Sequence, residues 1–327
     1  QGVFHESGAG TRILEDGYTR VNPFAVAAYA GVAVILRPLD RLLGAFIRER
    51  TAGILVNVQR SAGLVHMTCA HELGHFFNGH ETTADETIDY GKLSSIKEQE
   101  AEFFAYQLLT PRLVLATAMR RKGWTTQSFR NPLLVYQLSL RLGISYTAAI
   151  WSLKRHMLID YATANKLQKI LPVDIKRSLV RDELLNPHKE VWLLDEADQS
   201  SILEPRTDDQ LVLRLKSHAS AGYIWSPKEL TAEGFQIQPI KGNQTHTDDL
   251  SELTVGGQGT YDFVLSPKLV DEVDTGHTVR FELEERRPWT KSAKPSSSYQ
   301  ATALFEHLRP GLTGEAKRQL LQEIQAA

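Results

Sequence analysis

Cysteine is almost absent from this chain. Cys69 is the one thiol among 327 residues, so no intramolecular disulfide framework is possible and a reducing, cytoplasmic setting is expected. No stretch approaches the roughly 18 apolar residues of a membrane-spanning helix, and no signal-peptide pattern opens the chain. Gln1 rather than a methionine stands first, which leaves room for an upstream segment. Neither sign of charge dominates: 37 Lys and Arg against 39 Asp and Glu leave a net charge of −2, which argues against a surface built to gather nucleic acid. What remains is an ordinary globular composition, at a length that calls for two domains or three small ones.

Against that background, His71-Glu72-Leu73-Gly74-His75 stands out. Residues four apart on a helix project from one face, so His71 and His75 can reach a single metal ion. Glu72 lies about 100° further round, placed to take a proton from metal-activated water and badly placed to be a ligand. A structural zinc site is closed by four protein ligands, whereas a catalytic one has three and an open position. The question is therefore the third ligand. A His-x-x-Gly-x-x-His continuation, the metzincin pattern, needs glycine at 78 and histidine at 81, and Asn78 and Glu81 occupy those places beside His80.

A glutamate from a following helix is the other solution. Lys97 to Leu109 has helical apolar periodicity and carries Glu98, Glu100 and Glu102. Glu98 and Glu102 share a face with Ala101 and Ala105, small residues that would let this helix pack closely on the motif helix; Glu100 points away from that stripe. Glu98 is the expected third ligand. Glu102 is expected behind it, orienting a ligand histidine through its other ring nitrogen. Upstream, Gly53 to Val58 is an apolar, β-branched run that reads as a strand. Cys69, on the motif helix, is expected to be a small buried packing residue.

These blocks resemble the ImmA/IrrE family of metallopeptidases. The match is carried by His71–His75 and by Glu98-Gln-Glu-Ala-Glu-Phe-Phe-Ala105, followed by Leu108-Leu109-Thr110-Pro111. The upstream stretches Asn22–Ala27 and Arg37–Ala45 are similar to the family's opening helix and first strands, and the likeness covers roughly residues 1–160. Glu102 stands where the family has Asn or Asp, and Thr110 where it often has Met. The resemblance implies a Zn2+-dependent endopeptidase of gluzincin-like geometry that cleaves a protein partner, typically a transcriptional repressor or antitoxin-like regulator. Glu72 would be its general base. Substrate would be held as an added β-strand along Ile54, Val56 and Asn57. His80 is a candidate for oxyanion stabilisation or for orienting a ligand from behind.

Beyond Pro111 the pattern becomes helical. Leu138 to Leu158 has the cadence of a helix-turn-helix, with Gly143 ending one helix and Ser145 capping the next. Lys154, Arg155 and His156 would face outward if it read DNA; a structural bundle is favoured and DNA binding is not expected. Residues 166–189 read as a charged connector. Further on the period changes to two: Leu211, Leu213 and Leu215 share one strand face, as do Val279, Phe281 and Leu283.

Three loops follow in this second region. Ser217–Trp225 includes Gly222, Tyr223 and Trp225, the glycine-rich Val255–Thr260 includes Gly256 and Gly257, and Arg287-Pro288-Trp289 closes the series. They resemble, in order, the three loops of the chagasin family over roughly residues 190–292. That implies an immunoglobulin-like β-sandwich, with Ser-His-Ala-Ser-Ala replacing the family's Asn-Pro-Thr-Thr. Residues 293–327 read as a linker followed by an amphipathic helix. The expected architecture is an α+β zincin-like metallopeptidase core at 1–110, a helix-turn-helix-like extension at 111–165, and an all-β sandwich. The sandwich would recognise substrate or partner, or inhibit the core in cis. A cysteine-protease inhibitor, or a non-catalytic DNA- or protein-binding regulator on the same scaffold, is the alternative.

Overall fold

The computed structural model describes residues 2–49, 51–85, 95–180, 186, 188–227, 235–240, 259–267, 278–290 and 294–326. They fall into two compact units: residues 1–120, 124–169 and 308–327 form the first, and residues 121–123 and 170–307 the second. The chain thus mixes helix and sheet, with two further sheets in its C-terminal region.

In the first unit, α1 (Gly2–Glu6) and α2 (Ala9–Leu14) lead to α3 (Pro23–Tyr29). The Asn22 side chain accepts hydrogen bonds from the backbone N–H groups of Phe24 and Ala25 at 2.9 and 3.2 Å, and Pro23 supplies the first helical residue, so the α3 start is dictated locally. Three strands follow: β1 (Ala33–Arg37), β2 (Gly44–Arg48) and β3 (Ala52–Asn57). After α4 (Ala62–Phe77) and β4 (Thr83–Asp85) come α5 (Ile96–Leu109), α6 (Arg112–Lys122), α7 (Pro132–Leu142), α8 (Tyr146–Arg155) and α9 (Tyr161–Gln168). The last part of the chain returns to this unit as β13 (Gly311–Leu312) and α11 (Gly314–Ala326).

The sheet runs β13-β1-β3-β2-β4, with β1 and β3 parallel and the other pairs antiparallel. Strand β3 is therefore central, bonded along both edges, and Ile54 and Val56 are buried core residues. Asn57 uses its amide to donate to the carbonyls of Leu39 and Leu42 at 2.6 and 2.9 Å, shaping the turn before β2. The expectation that Ile54, Val56 and Asn57 hold substrate is thus corrected. A strand with two partners has no free ladder groups left to offer a peptide. Among the described residues, the outer strand next to β2 is β4.

Helix α4 is buried on every side from Val65 to His75, as a helix at the centre of a unit must be. Glycines set how closely its neighbours approach. A Cβ at Gly74 would lie 2.7 Å from Ala101 Cα on α5, and one at Gly63 would collide with the Ile144–Ser145 backbone at the start of α8. Helices α7 and α8 meet at 98°, joined by Gly143 in the left-handed region (φ 65°) and a Ser145 cap on the Ala148 N–H. Apart from residues 121–123, the 111–165 segment shares one unit with the motif helix. Among the described residues no single helix is long and apolar enough to cross a membrane.

The second unit holds α10 (Pro172–Arg177) and two four-stranded sheets. One runs β5 (Val191–Leu194), β7 (Gln210–Ser217), β10 (Gly259–Pro267), β9 (Phe235–Ile240). The other runs β6 (Ile202–Leu203), β12 (Ser297–Leu304), β11 (Thr278–Arg286), β8 (Ile224–Pro227). Leu211, Leu213 and Leu215 are buried as the alternation required, and so is Val212 on the other face, where Arg214 is half-buried and Lys216 exposed. Phe281 and Leu283 are buried on β11, while Val279, nearer its start, is half-buried. Residues 297–304, expected to be linker, form β12: Tyr299, Ala301 and Ala303 are buried at every second position despite the serine-rich composition around them.

Candidate metal centre

The geometry of α4 brings His71 and His75 to one face, and Gly74 between them lets α5 lie against that face at Ala101. Ala101 and Ala105 are buried in the contact, and Ser95 caps α5 by accepting from the Glu98 N–H at 3.3 Å. The outcome is a cluster of three donor side chains. His71 Nε2 stands 3.0 Å from Glu98 Oε2 and 3.2 Å from His75 Nε2, and His75 Nε2 stands 3.6 Å from Glu98 Oε1. Both histidines are buried, while Glu98 is partly open to solvent. Among the described residues this is the one group of histidine, cysteine and acidic side chains close enough to share an ion.

The donor set fits zinc. Tetrahedral ligands at about 2.0–2.1 Å from the metal are separated from one another by about 3.3 Å, close to the 3.0, 3.2 and 3.6 Å between the two imidazole nitrogens and the Glu98 carboxylate oxygens. Two imidazoles and a carboxylate are the ligands of a catalytic zinc with a fourth position open.

Glu72 follows His71 on the same helix and is completely buried. Its carboxylate lies beneath the start of β2, where a Cβ on Gly44 would come within 2.7 Å of Oε1 and would also collide with Thr68. Gly44 is thus a requirement of the site that the motif itself does not announce. Cys69 is buried in the same helix. Burial, reinforced by the negative charge of Glu72, pushes its thiol well above the ordinary range and keeps it neutral, as a packing residue should be.

Behind His75 stands His80. Its Nδ1 is 2.9 Å from His75 Nδ1, and its Nε2 is 3.1 Å from Glu100 Oε2. His80 therefore lies on the far side of His75 from the three converging donors. Glu100, off the stripe that carries Glu98, faces His80. Glu102, expected to orient a ligand histidine, instead accepts from Arg155 Nη2 at 2.6 Å, and Arg155 also stacks 3.9 Å above the Tyr106 ring. The next residue, His156, meets the Thr110 carbonyl through Nε2 at 2.8 Å, and burial lowers its pKa. Two of the three basic groups considered for DNA reading are thus engaged within the unit, tying α8 to α5.

In the second unit, the loop after β7 and the loop after β11 lie together. Gly222 adopts φ 81°, and the Trp289 indole covers it so closely that any side chain there would collide. Arg287 sits 4.6 Å above the Tyr223 ring. Trp225 is buried and donates through Nε1 to the Lys216 carbonyl at 2.8 Å, so it holds the sheets rather than a ligand. Pro288 and Trp289 are exposed. Glu285, completely buried at the end of β11, accepts from both the backbone N–H of His218 and its ring, each at 2.7 Å. An acid at the inward position after Phe281 and Leu283 was the sequence signal for that contact. Gly256 and Gly257 lie outside the described residues.

Two helices that converge two imidazoles and a carboxylate beside a buried glutamate define a metallopeptidase-like domain. Residues 27–154, which include α4 and α5, match the family model of the IrrE N-terminal-like domain of M78 peptidases, in agreement with the motif resemblance. No curated protein matches the chain. Two solved structures align with the C-terminal part and are chagasin-like. A cysteine protease inhibitor from Entamoeba histolytica is 20% identical over 37% of this chain and 100% of its own, with a TM-score of 0.27. The solution structure of amebosin is 14% identical over 36% of this chain and 98% of its own, with a TM-score of 0.26.

Proposed function

We propose that this chain is a zinc-dependent endopeptidase of zincin-like fold that cuts a specific protein partner, such as a repressor or antitoxin-like regulator. The observation that carries the reading is the convergence of His71, His75 and Glu98 at zinc-ligand spacing beside buried Glu72. His71, His75 and Glu98 would hold a zinc ion, which would supply a lowered water pKa and Lewis acidity toward a scissile carbonyl. The chain's own part is proton movement. The Glu72 carboxylate accepts a proton from the attacking water and returns it to the leaving amine, and its burial keeps bulk water from competing. Glu98 is the most exposed of the three ligands.

The second unit is read as an immunoglobulin-like sandwich that recognises the partner through the apposed 217–223 and 287–289 loops. Exposed Trp289 and Arg287-stacked Tyr223 are the residue types that carry binding energy at protein surfaces. Inhibition of papain by the intact chain would favour the alternative, a cysteine-protease inhibitor.

The test is Glu72→Gln in the full chain. The variant should purify with as much zinc as wild type yet lose about 10²–10⁴-fold in cleavage of a peptide library read by mass spectrometry, as for loss of a general base. Cleavage by the variant at the wild-type rate would end the mechanism. Glu98→Ala should lose zinc outright, a larger effect than that of Glu100→Ala; the opposite order would reassign the third ligand.

A further inference from the structure

We infer that His80 and Glu100 are positioning residues for His75, forming a Glu100–His80–His75 relay that fixes the tautomer and ring orientation of one metal ligand. The inference rests on the zinc-site reading and adds to it two residues that carry no metal themselves.

The atoms determine the direction of the relay. His75 turns Nε2 toward His71 and Glu98, so that nitrogen must be unprotonated to bind a metal, and the ring proton must then sit on Nδ1. His75 Nδ1–H can donate only to an acceptor, and the atom 2.9 Å away is His80 Nδ1. With its lone pair used there, His80 carries its own proton on Nε2, which donates to the Glu100 carboxylate at 3.1 Å. Each protonation site follows from the one before, and the carboxylate at the end accepts without needing a proton. A single carboxylate reaching a ligand histidine is the common arrangement. Here a second imidazole is interposed, because Glu100 lies one face away from Glu98 on α5.

His80 is also held as a positioned group is. Its backbone N–H donates to the His75 carbonyl at 2.9 Å, across a turn in which Gly79 takes φ 74°. Its carbonyl accepts from Arg48 Nε at 2.7 Å, while Arg48 Nη2 donates to the Phe76 carbonyl at 2.8 Å. Arg48 on β2 therefore clamps the end of α4, and the buried His80 ring has both nitrogens engaged. A histidine needed only to fill space would not require four hydrogen bonds in fixed directions.

The experiment uses the full chain, with zinc and cobalt as probes. Zinc affinity is measured by competition with a chromophoric chelator, and cobalt-loaded protein is followed by its visible absorption bands. His80→Ala should weaken zinc binding by about 10–100-fold, the usual cost of removing such a partner, and should shift the cobalt bands. His80→Asn keeps an oxygen acceptor near the position of Nδ1 and should recover most of the lost affinity. Glu100→Ala should produce a smaller loss in the same direction. Should His80→Ala fail to fold, the Asn and Glu100 variants decide the matter. Zinc affinity within twofold of wild type in folded His80→Ala, or in Glu100→Ala with unchanged cobalt spectra, would overturn the relay and leave the zinc site standing. A wild-type chain that binds neither metal would overturn the zinc site and the relay with it.

Discussion

Glycine 74 shows how much of the site depends on a side chain that is missing. A methyl group there would sit 2.7 Å from Ala101 Cα and 2.8 Å from its carbonyl oxygen, and both are backbone atoms that cannot rotate away. Gly74→Ala must therefore move α5 bodily, and Glu98 with it. The expected result is a loss of about 1–3 kcal/mol in stability, as for overpacking elsewhere, together with weakened zinc binding. Calorimetry and chelator competition would measure the two; zinc binding unchanged despite lower stability would separate the packing from the site. Gly44 plays the matching part for Glu72 on the other side of α4. At this scale the sequence was legible where contacts are local: four-residue spacing put His71 and His75 together, and the small face of α5 pointed to Glu98. The Glu102–Arg155 pair and the His80–Glu100 contact were not legible, because the rotation of α5 about its axis decides which glutamate meets which base. That rotation depends on packing that no local pattern reports.

Among the elements, β5 and the turn before β7 are joined at one buried acid. Asp209 accepts from the Trp192 indole N–H and the Arg206 backbone N–H, each at 2.9 Å, and from the Glu190 N–H at 3.1 Å. Burial nevertheless pushes its carboxyl up to about 7, with the hydrogen bonds pulling the other way. A folded acid that holds its proton more tightly than the unfolded chain favours folding less and less as pH rises from the unfolded value of 3.8 toward 7. Urea unfolding of the second unit should thus lose stability through Asp209 over that range, and the slope should flatten in Asp209→Asn. An identical slope in the two proteins would remove Asp209 as the source. The strands here were legible where period two was strong, as at Leu211 to Leu215. Strand β12 was hidden because Ser297 and its neighbours have turn composition, although Tyr299, Ala301 and Ala303 keep the alternation. The role of β3 was misjudged for a different reason: whether a strand is central or at an edge depends on its partners, and the run itself does not say that β1 and β2 flank it on both sides.

At the scale of the molecule, the first unit is completed by the last residues of the chain. Ile35 and Leu36 on β1 pair with Leu312 and Gly311 on β13, the Asn22 amide donates to Glu315 at 3.0 Å across 293 residues of sequence, and Ala316 is buried. An amphipathic pattern at the C-terminus announced a helix but could not say which surface it covers. Because β1 pairs with β3, and β3 with the β2 strand that approaches Glu72 at Gly44, the sheet that packs on the motif helix is closed on one side by this returning segment. Deleting residues 308–327 turns β1 into an open edge and strips α3 of its partner helix. The truncated chain should melt several degrees below the full one, consistent with roughly 1–2 kcal/mol lost from a unit of this size. A synthetic peptide of residues 308–327 should restore part of that difference in a concentration-dependent way, since it binds only the folded form. A truncated chain that melts like the full one, and ignores the peptide, would show that β13 and α11 adorn the sheet without supporting it.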